Sequence, residues 1–491
     1  MEEEKVIVKL KKKPLKSERD EMKVRKKHKF LIVLTCIFLF VAGVATGVFV
    51  YSLKNNTEDV VVYNKLEEIK KYMNNMWLYK NDYEDLDVTL DDKAYRGMLS
   101  FDDDVYTTYM SSSELEEYSN DINMNYVGIG VQYNALTYTV IRVYKDSPAY
   151  NSGIKAGDVI YKVDGIEVDG KSSDELKAMV TGEEGTVVEM TIKRGSEELT
   201  FNVVRADFDT TVYASAYDNY VLLEIMSFGT NTANECIKYL DDYTDYENII
   251  IDLRDNTGGY EKAVQEVAGI FLGKDKIVLH KKYANGEVDT DYTISNAYYG
   301  NFKKIVILTN QRTASAAEVL TLALYEQHEN TTIVGTTTYG KGVMQTSYLL
   351  KDNSAVKITT AYWTSPNDVS INKVGITPDI EVKLDDIFYE TIYGTEMDDD
   401  ETYVYDSVSD YVKIMQMSLN YLGYKCDRQD GYFDSSTLNA LNAYKSANGL
   451  ETDGVLDKDT FSSLYSSVVY TYIYDTSKDY QLNKAKELIN E

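Results

Sequence analysis

The 491-residue chain is 44% apolar with 28 Gly and only 4 Pro, which excludes collagen-like and low-complexity classes and leaves room for several domains of about 150 residues each. Its charge is divided: residues 1–29 hold 12 Lys and Arg against 6 Asp and Glu, and the rest holds 39 against 74. A remainder this acidic has no basic face for phosphates, so nucleic acid is excluded as a partner.

The basic segment 1–29 is followed by an uncharged apolar run, Phe30 to Leu53. At 1.5 Å per residue it reaches about 36 Å, enough for a ~30 Å hydrocarbon core. A transmembrane helix over 30–53 is expected, and the basic flank ending at Lys29 keeps the N-terminus cytoplasmic. The chain is therefore read as a single-pass cell-membrane protein whose bulk lies outside. A cleaved signal peptide is the alternative, against which stands the length of the apolar run. Residues 54–120 follow as a helical N-terminal arm, because Val62, Leu66, Ile69 and Met73 recur at helical spacing. Such an arm serves as a stalk or as a homodimer contact.

Over 121–207 the period changes to short β-type runs broken by Gly and Asp turns, with one helix predicted at Ser173–Val180 capped by Ser173. Residues 208–385 alternate continuous Val/Ile/Leu runs with helical patterns, the mark of strands covered on both faces in an α/β core. A linker over 386–404 leads to a small three-helix module, 405–468, with an internal repeat: the segment 430–441 recurs as 453–464, and Asp434 and Asp457 are predicted helix caps. The segment 469–491 ends in a helical pattern. The fold class is thus multidomain: a membrane helix and stalk, a β-module, an α/β core and a helical C-terminal module.

Three segments of the core carry groups suited to acyl chemistry, each directly after a strand. Ser315, in Thr313–Glu318, would open a helix where unpaired N–H groups favour negative charge. Lys341, in Tyr339–Gln345, stands between two glycines. Gly258 and Gly259, in Asp252–Tyr260, can turn backbone N–H groups into a site. Singly, Ser315 reads as an ordinary helix cap, Lys341 as a turn lysine and the glycines as a turn. Three His without an HExxH motif, and no CxxC, exclude a zinc enzyme, and no metal or other cofactor is expected. Cys36, Cys236 and Cys426 form no disulfide framework.

Several motifs together carry a family resemblance. Gly128-Ile129-Gly130, Ser147-Pro148-Ala149, the run 153–158 and Asp164-Gly165 resemble a PDZ domain, which implies that the Gly128–Gly130 turn binds a peptide carboxylate. The repeat module resembles a peptidoglycan-binding domain. The three core segments, with 97–110 and 375–380, resemble the C-terminal processing, or tail-specific, serine peptidases. That resemblance implies Ser315 as nucleophile, Lys341 as base, Gln345 as the residue orienting the lysine, and oxyanion donors from Ala316 with one of Gly258 and Gly259. It gives Asp252, Arg254 and Glu318 supporting roles and returns the last helix, within 469–491, to the core. Thr257 stands where the family commonly has Pro, and Ala-Ser-Ala-Ala replaces its Ser-rich run.

A lysine acts as base only when neutral, so its pKa of ~10.4 must fall by about three units, which burial supplies. The expected function is cleavage of exported proteins bound by an exposed C-terminus, beside peptidoglycan, with the PDZ domain gating the Lys341 loop. A non-catalytic, cell-wall-associated PDZ scaffold is the alternative.

Overall fold

The computed structural model describes residues 25, 27, 65–82, 85–208, 210–294, 297–390, 394, 395, 397, 398 and 400–491. The apolar run 30–53 lies outside them, as do Cys36 and Val62. Among the described residues no helix is long and apolar enough to cross a membrane. The chain divides into two compact units, 1–98 and 99–491.

The first unit contains a helix over 65–76 and a second, Leu86–Met98, joined by the Lys70–Asp91 ion pair at 2.5 Å. The expected stripe is only half-covered, since Leu66 and Met73 are partly buried while Ile69 is exposed.

In the second unit the arm is not helical throughout. The strand Thr108–Met110 pairs antiparallel with the start of Ala355–Thr364, and the helix Ser112–Asn123 follows, fixed by a capping box of Ser111 and Glu114. The Tyr109 and Met110 side chains are buried there, and this tertiary pairing overrides the helical pattern.

The PDZ-type module has a four-stranded antiparallel sheet in the order Ile166–Glu167, Val159–Val163, Val187–Arg194, Glu197–Val204. Ile129, Val140, Ile160, Leu176, Met190 and Val203 fill its core. Its helix Ser173–Val180 is capped by Ser172, whose side chain accepts from Glu175 N–H, so Ser173 is the first helical residue and not the cap.

The core is a six-stranded sheet: Val212–Ala216 runs antiparallel to Val221–Ile225, and Asn248–Asp252, Lys304–Thr309, Thr331–Gly335 and Ile380–Glu381 follow in parallel. Alternate residues of each strand serve different layers. Ile249, Ile251, Ile305, Ile307 and Ile333 pack against the helices Glu261–Leu272 and Ala316–Gln327. Ile250, Val306, Leu308 and Val334 pack against Ala485 and Ile489 of the last helix, Tyr480–Asn490. The strand Ala355–Thr364, which by pattern belongs to the α/β alternation, lies instead in a second, antiparallel sheet with Thr108–Met110, Ile277–Tyr283, Val288–Tyr292 and Val343–Leu349.

The C-terminal module has helices Asp410–Tyr421, Ser435–Ala447 and Lys458–Tyr474. Asp434 and Asp457 accept from Thr437 and Thr460 N–H at 2.9 and 2.8 Å. The segment read as a linker is partly core, since Ile387 and Met397 are buried. The third helix runs past residue 468 to dock on the PDZ module, where Tyr465 and Val469 meet Ala156 and the Tyr474 hydroxyl accepts from Ala156 N–H at 3.2 Å.

Candidate active site

Three neighbouring parallel strands end level with one another, Asp252 opposite Leu308 and Thr309 opposite Gly335. In an open α/β sheet the loops leaving the carboxyl ends of the strands build the site. The three segments singled out above leave these three ends.

Ser315 stands at the entrance of Ala316–Gln327 with φ 56° and ψ −120°, a conformation few non-glycine residues adopt. The preceding turn over-determines it: Ala314 N–H donates to Asn256 O at 2.9 Å and the Thr313 hydroxyl to Leu253 O at 2.8 Å. Ser315 N–H donates to Glu318 Oε2 at 2.9 Å. The N–H of Ala316, at the N-terminus of the helix, has no acceptor among the described residues.

Gly258 crosses directly beneath the serine. A Cβ built there would lie 2.8 Å from Ser315 Cβ and 3.1 Å from Ala316 N, and φ is 111°, so only glycine fits. Its own N–H is not free, because it donates to Asn256 Oδ1 at 2.8 Å. Of the two glycines between which the expectation left the oxyanion donor open, this engages Gly258: the buried Asn256 side chain accepts its N–H, with Nδ2 anchored on Ile225 O at 2.7 Å. Of the glycine pair, Gly259 keeps an N–H without an acceptor among the described residues.

Glu318 joins the nucleophile segment to the lysine loop. Its fully buried carboxylate accepts four bonds: Ser315 N–H at 2.9 Å and Lys341 N–H at 2.9 Å on Oε2, the Thr338 hydroxyl at 2.5 Å and Gly340 N–H at 2.7 Å on Oε1. The Ser315 and Lys341 backbone nitrogens thus share one oxygen atom and lie within twice that bond length of each other. Burial raises the Glu318 pKa above the ordinary carboxyl range against the pull of its donors. On the other side of the loop, Trp363 Nε1 donates to Lys341 O at 2.7 Å. Gly340 has φ 85° and would bring a Cβ to 2.6 Å from Gly375 N, which explains a glycine beside the lysine.

The Lys341 side chain is partly buried, with Nζ 4.7 Å from the centre of the Tyr106 ring. Among the described residues it makes no hydrogen bond to the Ser315 hydroxyl. Burial lowers its pKa below the ordinary lysine range and the Lys357 charge lowers it further, while Glu318 acts in the opposite direction. Gln345 is not on the lysine either. It lies at a β-bulge between Met344 and Gln345, and its Nε2 donates to Thr359 Oγ1 at 3.2 Å across the strand pair.

Asp252 and Arg254 do not touch the serine or the lysine. Arg254 is held by Asp252 at 2.6 Å and by Asp479 at 2.8 Å, which fastens the start of the last helix to the sheet. In the PDZ-type module Gly128 ends the strand Tyr126–Gly128, and Ile129 and Gly130 form the turn after it. Ile129 O accepts from Ala149 N–H at 2.8 Å and Gly130 O from Tyr144 N–H at 3.1 Å, while the N–H groups of Ile129 and Gly130 have no acceptor among the described residues. His280 bonds Thr290 and Pro366 O, and His328 bonds Thr331 and Phe302 O; neither belongs to the site. Among the described residues no acidic, Cys or His cluster suits a metal ion. Asn256, Thr338, Trp363 and Tyr106 escaped sequence reasoning. An Asn two residues before a glycine pair was the one available signal.

Comparison with known families matches residues 219–382 to peptidase family S41, 125–204 to a PDZ domain and 408–464 to a peptidoglycan binding domain. The chain is therefore a multidomain serine peptidase of family S41. Within that class it belongs to the CtpA-like carboxy-terminal processing serine proteases. It is 31% identical over 449 residues to the "Probable CtpA-like serine protease" of Staphylococcus haemolyticus, covering 89% of this chain and 88% of that one. It is 29% identical over 482 residues to the "Carboxy-terminal processing protease CtpA" of Bacillus subtilis, covering 96% and 100%. The solved photosystem II D1 C-terminal processing protease aligns with 65% of this chain and 92% of its own, at 24% identity and a TM-score of 0.40.

Proposed function

We propose that this protease is an endopeptidase anchored by residues 30–53, facing the exterior beside peptidoglycan, and that it cleaves exported proteins with a Ser315–Lys341 dyad. The observation that carries the dyad is the shared Glu318 oxygen, which holds the two residues' backbones together from different strand ends. Burial and the Lys357 charge lower the pKa of Lys341, which favours the neutral amine that a base requires. That amine takes the Ser315 hydroxyl proton as Oγ bonds to the scissile carbonyl carbon. The N–H groups of Ala316 and Gly259 receive the oxyanion. The ammonium then returns the proton to the departing amine, and water releases the acyl group by the same route. Gln345 steadies the strand that follows the lysine, through Thr359.

The substrate's C-terminal carboxylate sits on the Gly128–Ile129–Gly130 turn. Its occupancy reaches the core through the helix Ser112–Asn123, because Lys177 of the PDZ helix pairs with Glu117 at 2.6 Å and Ser119 meets the Tyr260 hydroxyl at 3.2 Å. Exposed Ile69, Met76 and Leu78 support the N-terminal arm as a homodimer contact. The test is cleavage of an unfolded protein ending in a free or an amidated C-terminus. Wild type should cut the first far faster and Ser315→Ala neither. Equal rates on both, or turnover by Ser315→Ala, would refute the reading.

A further inference from the structure

Lys341 Nζ lies over the Tyr106 ring, 4.7 Å from its centre. The ring is held in place from several sides. Asp104 Oδ1 accepts the N–H of Tyr106 at 3.1 Å and of Thr107 at 3.2 Å, and also the Thr359 hydroxyl at 2.9 Å. Asp104 Oδ2 accepts the Thr107 hydroxyl at 2.6 Å. The Tyr106 hydroxyl donates to that of Tyr339, two residues before the lysine, at 3.2 Å. Thr359 is also the partner of Gln345, so one carboxylate organises both the ring and the strand after the base. Of the three consecutive acidic residues Asp102–Asp104, Asp104 supplies this support.

The charged and titratable groups facing this contact come from every element packed on it. Glu318 reaches in from the helix Ala316–Gln327, Lys357 from the strand Ala355–Thr364, Asp104 from the loop before Thr108, and Tyr339 from the lysine's own loop. Lys357 is itself seated on a second ring, Tyr118, at 4.6 Å. The ring face attracts an ammonium through its quadrupole and a neutral amine hardly at all. The contact therefore depends on the lysine's proton.

We propose that Tyr106 is a positioning residue for the base: its ring docks the protonated Lys341 side chain away from Ser315 and releases it once the amine is neutral. This rests on the reading of Lys341 as base. Because the dock favours the ammonium, it sets the acidic limb of the activity profile higher than burial and Lys357 alone would.

The test is the pH dependence of kcat/KM for a peptide substrate with full-length wild type, Tyr106→Phe, Tyr106→Leu and Lys341→Ala. Tyr106→Phe keeps the ring and should keep the wild-type limb. Tyr106→Leu should move the limb down by about 0.4 to 1.5 pH units, a gain of about 3- to 30-fold on its acid side. Should Tyr106→Leu be inactive, the pH at which Lys341 reacts with an amine-directed reagent, compared between Ser315→Ala and Ser315→Ala/Tyr106→Leu, should show the same downward shift. A limb or labelling curve that stays put without the ring, or moves equally in Tyr106→Phe, overturns the proposal and leaves the base assignment standing. Activity in Lys341→Ala overturns both.

Discussion

Replacing Glu318 with Gln tests the joint between the two catalytic segments. The carboxylate offers two acceptor oxygens to four donors, three of them backbone N–H groups that cannot turn round. A carboxamide offers one. With its NH2 in place of Oε2 it faces two N–H groups; in place of Oε1 it faces one N–H and the Thr338 hydroxyl, which can rotate to accept. The second orientation costs least and still strands Gly340 N–H in a buried site at about 1–3 kcal/mol, while the remaining bonds lose their charge assistance. Relief of the carboxylate's desolvation offsets part of this, so the net loss is about 2–4 kcal/mol. A loss of about 3 kcal/mol lowers the melting midpoint by roughly 6–12 °C in a domain of this size. Because the same bonds aim Ser315 and Lys341, kcat/KM should fall by about 100-fold or more. Thermal melts and peptide cleavage measured on the same preparation check both. An unchanged midpoint with unchanged kcat/KM would refute the account of Glu318.

Three further substitutions give distinct outcomes. Ser315→Gly and Ser315→Ala should both be inactive, but only glycine relieves the positive φ, so Ser315→Gly should be the more stable by about 1 kcal/mol in denaturant titrations. Arg254→Met leaves Asp252 and Asp479 without their shared cation and should cost about 3–5 kcal/mol, with amide exchange rising first in Tyr480–Asn490. For Lys341→Met the sign follows from the lowered pKa. The folded state disfavours the ammonium, so that penalty is fully present below the depressed folded pKa and fades as pH rises toward the unfolded value of 10.5. Lys341→Met should therefore be inactive and more stable than wild type near neutral pH, with the gain shrinking in alkali; a gain that grew with pH would contradict the assignment.

The fold was legible where burial is continuous. Asn248–Asp252, Lys304–Thr309 and Thr331–Gly335 are short Val/Ile/Leu runs, and the motifs after them converge because those strands are neighbours. The second sheet was less legible because its strands mix buried and exposed positions, and Thr108–Met110 is three residues whose partner lies far along the chain. In the site, Ser315, Lys341 and Glu318 came from spacing and resemblance. The engaged N–H of Gly258 and the Thr359 partner of Gln345 did not, since each depends on a side chain set by tertiary packing. Tyr106 was one tyrosine among 44 until the strand after it placed its ring against the lysine.

The dyad is tested most directly by kcat/KM on an unfolded protein substrate for folded Lys341→Ala beside wild type and Ser315→Ala. The account predicts that both variants lose activity to a similar, near-complete extent, because acylation needs the amine as much as the hydroxyl. Substantial turnover by Lys341→Ala would contradict it.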